Sequence, residues 1–82
     1  MLENEFYELD SLTSIVVSYE KILPIDPFDY VTYQATVRYV TTRKCLTVKS
    51  VETLSETKMY ELANVIVAEM QTEYLEDKGS KL

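Results

Sequence analysis

Between Ser55 and Gly79 the apolar residues Met59, Leu62, Ala63, Ile66, Val67, Met70 and Tyr74 recur at spacings of three and four. This stripe constrains the fold more than any other feature, because a helix of that length presents an apolar side that must be covered along most of its run. The helix is expected over 55–77. Ser55, or Thr53 with Glu56 three residues later, supplies an N-cap, and Lys78 with Gly79 marks the stop. A chain of 82 residues can build only one core. The residues before Ser55 must therefore form the cover.

From Val31 to Tyr39 the apolar side chains Val31, Tyr33, Ala35, Val37 and Tyr39 fall on odd positions, with Thr32, Gln34, Thr36 and Arg38 between them. That alternation is the signature of a half-buried strand. After "TTRK" the apolar set moves to Leu46 and Val48. A four-residue loop over 41–44 reconciles the two parities: Tyr39 then faces Leu46, Val37 faces Val48 and Ala35 faces Ser50, all on one face. Two periods compete in "TSIVVSYEKIL". The run Ile15, Val16, Val17 favours extended backbone, so a strand is expected from Ser14 to Ile22, with Ile15, Val17, Tyr19 and Leu23 on one side. A short helix before it would turn Leu2, Phe6 and Leu9 inward. "LPIDPFD" reads as a connecting loop, since Pro24 and Pro27 donate no ladder hydrogen bond.

The expected architecture is α+β: a single domain over 1–82, a three-stranded antiparallel sheet packed by a long C-terminal helix, in the order α-β-β-β-α. An acidic segment spans 1–12, the sheet 13–54, the helix 55–77 and a flexible tail 78–82. Double-stranded-RNA-binding domains share that element order. Their last helix and a basic loop read phosphates, whereas "SETKMYE" carries Glu56 and Glu61 and no run of lysines, so RNA binding is rejected as the leading reading.

Charge is segregated along the chain, whose formal net charge is -6. Residues 1–29 hold the acids Glu3, Glu5, Glu8, Asp10, Glu20, Asp26 and Asp29 against Lys21. Residues 30–51 hold Arg38, Arg43, Lys44 and Lys49 and no acid. The remainder is acidic again, with Glu69, Glu73, Glu76 and Asp77 along the last turns of the helix. On the register above, Arg38 and Lys49 lie on the face away from the helix, while Arg43 and Lys44 crown the loop, making a small cationic surface. Four cations are a weak footprint for a nucleic-acid binder.

The chain has no histidine and one cysteine. It lacks the commonest general base and metal ligand, and it can form neither an internal disulfide nor a multi-cysteine metal site. Cys45, expected on the outer face beside Arg43 and Lys44, reads as an inert thiol. No catalytic residue, metal or cofactor is assigned. No stretch approaches a membrane span, and "MLENEFYELD" is acidic where a secretory signal is basic. A soluble cytoplasmic protein is expected. The closing Ser80-Lys81-Leu82 matches a peroxisomal address only by accident.

Carboxylates at helical spacing can imitate the charge spacing of a nucleic acid. The expected function is accordingly non-enzymatic: an acidic inhibitor, of the kind small viruses and mobile elements encode, that docks on a larger nucleic-acid-binding enzyme and blocks its basic groove. Its contact residues would be Glu3, Glu5, Glu8, Asp10, Glu69, Glu73, Glu76 and Asp77. The alternative is a homo-oligomeric accessory protein, a homodimer using the cationic hairpin, the seven tyrosines and the helical ridge of Val65, Ala68 and Leu75. A small acid-base enzyme using a tyrosine and a carboxylate ranks far behind.

Overall fold

The computed structural model describes residues 4–80, with side chains as far as Glu76. Four strands precede one helix: β1 (Glu5–Glu8), β2 (Thr13–Ile22), β3 (Thr32–Thr41), β4 (Cys45–Thr53) and α1 (Glu56–Ser80). The strands pair antiparallel in chain order, with β1 and β4 as the two edges. The fold is thus a small α+β meander with one C-terminal helix.

The N-terminal helix expected from the sequence is replaced by β1, which makes the sheet four-stranded. Glu5 pairs with Val17 and Tyr7 with Ile15. Pairing there satisfies backbone groups that the long edge of β2 would otherwise leave open. The strand also reverses one side chain. Phe6, expected inward, pairs with Val16 on the opposite face and is 73% exposed. Leu9 does pack against the core, and Leu2 lies outside the described residues.

β2 and β3 behave as their alternation requires. Ile15, Val17 and Tyr19 on β2 and Ala35 and Val37 on β3 are buried beneath Met59, Ala63, Val67 and Met70 of α1. Each such large side chain contributes about 1.5–3 kcal/mol when fully withdrawn from water. Leu23, expected on the same side, lies past the end of β2 and is exposed. Ser55 caps α1, its Oγ accepting the Lys58 N–H at 3.2 Å. The helix continues through Gly79 to Ser80, past the stop expected at Asp77.

The β3–β4 register departs from expectation by one residue. At the hairpin, Thr41 N–H donates to the Lys44 carbonyl at 2.8 Å and Val40 pairs with Cys45, as a loop over 41–44 demands. A bulge then intervenes between Tyr39 and Val40. Beyond it Tyr39 pairs with Thr47, Val37 with Lys49 and Ala35 with Val51. One extra residue on β4 sends every later side chain to the other face. Of the two residues expected under the helix, Leu46 is the unpaired residue of the bulge and is 47% exposed, and Val48 is 56% exposed on the outer face; Lys49, expected outside, lies on the helix side.

Candidate functional site

Strand geometry divides the N-terminal acids. Glu5 shares the helix side with Tyr7, whose hydroxyl donates to it, while Glu8 points to the outer face. Asp10 occupies the β1–β2 turn, where its Oδ1 accepts the Leu12 N–H at 2.7 Å. Its Oδ2 accepts the Tyr74 hydroxyl at 2.6 Å. The Tyr74 bond, then the Leu12 bond, hold the Asp10 carboxyl below its ordinary value, so it stays charged into the acid range. Glu3 lies outside the described residues, as does the Asp77 side chain.

The second acidic group climbs α1. Glu69, Glu73 and Glu76 are exposed at i, i+4 and i+7 and form one stripe. With a rise of 1.5 Å per residue the three charges span about 10 Å. Neighbouring charges thus stand about 6 and 4.5 Å apart along the helix axis, wider than the ~3.4 Å per charge of a single strand of B-DNA. The Tyr74–Asp10 bond ties the β1–β2 turn to the last turns of α1, 64 residues away in sequence, although Tyr74 stands about 100° round the helix from Glu73.

The four expected cations do not form one surface. Arg38 lies on the outer face, its guanidinium 3.4 Å from Ser18 Oγ. Lys49, on the helix side, approaches Glu69 at 3.9 Å, and because both side chains are exposed the pair contributes little. Arg43 and Lys44 sit at the hairpin tip, their N–H groups directed at Thr41 Oγ1. Thr42 N–H donates to the Leu12 carbonyl at 3.0 Å, which seats this tip beside the turn that holds Asp10. The acidic end therefore carries two cations at its margin. Cys45 is exposed and unbridged on the outer face, as expected.

The tyrosines serve several ends. Tyr19 and Tyr60 stack at 4.7 Å between ring centroids, tilted by 59°. Burial first, and the Glu5 carboxylate second, push the Tyr19 hydroxyl well above its ordinary value; the bond to Glu5 raises Tyr7 in the same direction. A phenol raised in this way is a poorer base near neutral pH. Among the described residues no group of three or more His, Cys, Asp or Glu side chains could hold a metal ion. No described helix is long and apolar enough to cross a membrane.

One feature escaped the reading of the sequence. The β2–β3 loop exposes Leu23, Ile25, Phe28 and Tyr30, with Ile25 and Phe28 almost wholly in solvent. Its shape is held locally: Asp26 Oδ1 accepts the Phe28 N–H at 2.9 Å, Asp29 N–H donates to the Asp26 carbonyl at 3.0 Å, and Asp29 Oδ1 accepts the Tyr30 N–H at 2.8 Å. The signal was available, since four large apolar residues fall in a segment whose two prolines keep it out of any central strand. Comparison with protein-family models, curated proteins and solved structures finds no match to this chain.

Proposed function

We propose that this protein is an acidic binding module that occupies the nucleic-acid groove of a larger enzyme and so inhibits it. The observation that carries the reading is the exposed stripe of Glu69, Glu73 and Glu76, a regular row of carboxylates near the end of α1 that the Tyr74–Asp10 bond ties to the β1–β2 turn. A groove built to displace counterions from phosphates gains in the same way from a fixed row of carboxylates. Rigidity matters here. The stripe rides on a helix anchored by buried Met59, Ala63, Val67 and Met70, so little ordering cost is left for the moment of binding. Acids alone supply steering and little else. The β2–β3 loop, at the opposite end of the sheet from the β1–β2 turn, exposes Ile25 and Phe28 flanked by Asp26 and Asp29, which suit a second contact, an apolar pocket with a basic rim.

The test is capture of the partner on the immobilised chain from cells that carry it, followed by competition with duplex DNA. The enzyme's nucleic-acid binding should fall as the protein is added, less so at higher ionic strength. A triple change, Glu69→Gln with Glu73→Gln and Glu76→Gln, should weaken inhibition at least tenfold while leaving the melting temperature unchanged. Inhibition equal to that of the unaltered protein would refute the reading.

A further inference from the structure

The helix covers one face of the sheet; across the other runs a row of Phe6, Val16, Arg38 and Val48, directly paired from β1 to β4. Val40, paired with Cys45, extends this patch toward the hairpin. Phe6 at 73% and Val48 at 56% exposure stand at its two ends, and Arg38 sits between them with Ser18 as its hydrogen-bond partner. Scattered surface apolars need no explanation, but a row that is apolar on three of its four strands and holds an arginine at the fourth does.

We propose that this face is the interface of a symmetric homodimer, with a second copy laid on it so that β1 of each lies over β4 of the other. The pattern of charges selects that arrangement. A two-fold axis parallel to the strands keeps each row in place and reverses strand order, so Phe6 opposes Val48 of the second copy and Val16 opposes Arg38. Glu8 lies one strand and one row from Val16, roughly 8 Å away in the sheet plane, within the combined reach of an arginine and a glutamate across sheets about 10 Å apart. Each Arg38 thereby gains a carboxylate as it leaves water, which an apolar interface requires of a buried charge. An axis perpendicular to the strands through the same row would set Arg38 against Arg38. Moved further along, it would set the apolar row against Glu20 and Glu52, which share a row with Gln34.

The contact is large enough to be specific and small enough to be reversible. Three strands about 30 Å long and the short β1, spaced by about 4.8 Å, offer roughly 500 Å² per copy, or about 1,000 Å² in total, at the lower limit for a specific interface.

Sedimentation equilibrium from about 1 μM to about 1 mM, a range matched to weak association, should show a monomer–dimer transition that persists at high salt. Phe6→Glu with Val48→Glu should give a monomer whose melting profile, at concentrations where the unaltered chain is also monomeric, is unchanged, since both side chains are exposed. Arg38→Glu alone or Glu8→Arg alone should weaken the dimer several-fold, and the two together should restore it. A monomer throughout the range, or a dimer indifferent to the Phe6 and Val48 changes, would overturn the proposal, as would failure of the paired charge reversal to restore association. Inhibition of a partner enzyme rests on the helix stripe and is scored separately by the glutamine triple variant.

Discussion

Val37 and Lys49 are cross-strand partners on the helix-covered face of the sheet. Val37 is wholly buried, whereas Lys49 reaches toward Glu69 on α1 from a half-exposed position. The covered face is therefore dry over β2 and β3 and amphipathic over β4, where the lysine stem can shield the core while its ammonium remains in water.

That asymmetry makes the two faces of β3 respond differently to one substitution. Val37→Asp should cost about 3–5 kcal/mol, a large part of the roughly 5–15 kcal/mol that holds a domain together. Thr36→Asp, on the face away from the helix, should stay within about 0.5 kcal/mol at concentrations too low for self-association. Thermal and urea melts followed by circular dichroism measure both, and equal damage would reject the facing assigned to β3.

The bulge yields its own test. Removing Leu46 should leave Val40 opposite Cys45 and Tyr39 opposite Thr47 in an unbroken ladder, with Val37 still facing Lys49. The shortened chain should fold, and cross-strand nuclear Overhauser contacts should report the same register beyond Tyr39. A shift that returns Val48 to the helix side would show that something other than one inserted residue sets the register.

How far the residues announced this structure depends on where competing signals met. The odd positions of β3 and the helical stripe each carried one dominant period, the β-branched run of β2 decided between two, and Ser55 marked the cap; the structure follows all of them. "EFYE" carries two apolar residues in four, too few to separate a helical turn from a strand, and the deciding factor is the open edge of β2, which is non-local. β4 misled for a different reason: alternation was legible, but its phase depends on a single unpaired residue at Leu46, and no glycine marks that bulge. The acids of α1 were legible as a stripe. Their union with Asp10 was not, because it hangs on one hydrogen bond across 64 residues.

Acid should act on that union. The Asp10 carboxyl is held below its ordinary value of 3.8, so its contribution to stability is present above about pH 4 and is lost as pH falls through the folded-state value. Tyr74→Phe removes the largest cause of the shift. It should raise the Asp10 titration midpoint in an NMR titration and flatten the dependence of the melting temperature on pH below 4; an unmoved midpoint would deny the bond.

Alkali should act on Tyr19. Its hydroxyl is raised above the ordinary value of 10.0 by burial and by Glu5, so the folded chain keeps a proton that the unfolded chain gives up. Stability from this group is whole below about pH 10 and declines as pH rises beyond it. Tyr19→Phe should therefore make the loss of stability above pH 10 shallower, as read from urea midpoints across that range. A slope identical to that of the unaltered chain would place the ionisation elsewhere.

The hairpin cations give the last prediction, and their position sharpens it. Arg43 and Lys44 stand at the end of the molecule where the β1–β2 turn brings Asp10 to Tyr74, tied there by the bond from Thr42 to Leu12. A basic groove that accepts Glu73 and Glu76 would meet these two cations at its margin and be repelled by them, within the roughly 8–10 Å over which charges act at physiological salt. Reversing both to glutamate should then strengthen inhibition of the partner enzyme, by faster association more than by slower release. Filter-binding competition and stopped-flow mixing measure the two effects. Should the unaltered protein instead bind DNA or RNA directly, and the reversal abolish that binding, the cations would be the contact surface and the acidic stripe its solvent-facing counterpart.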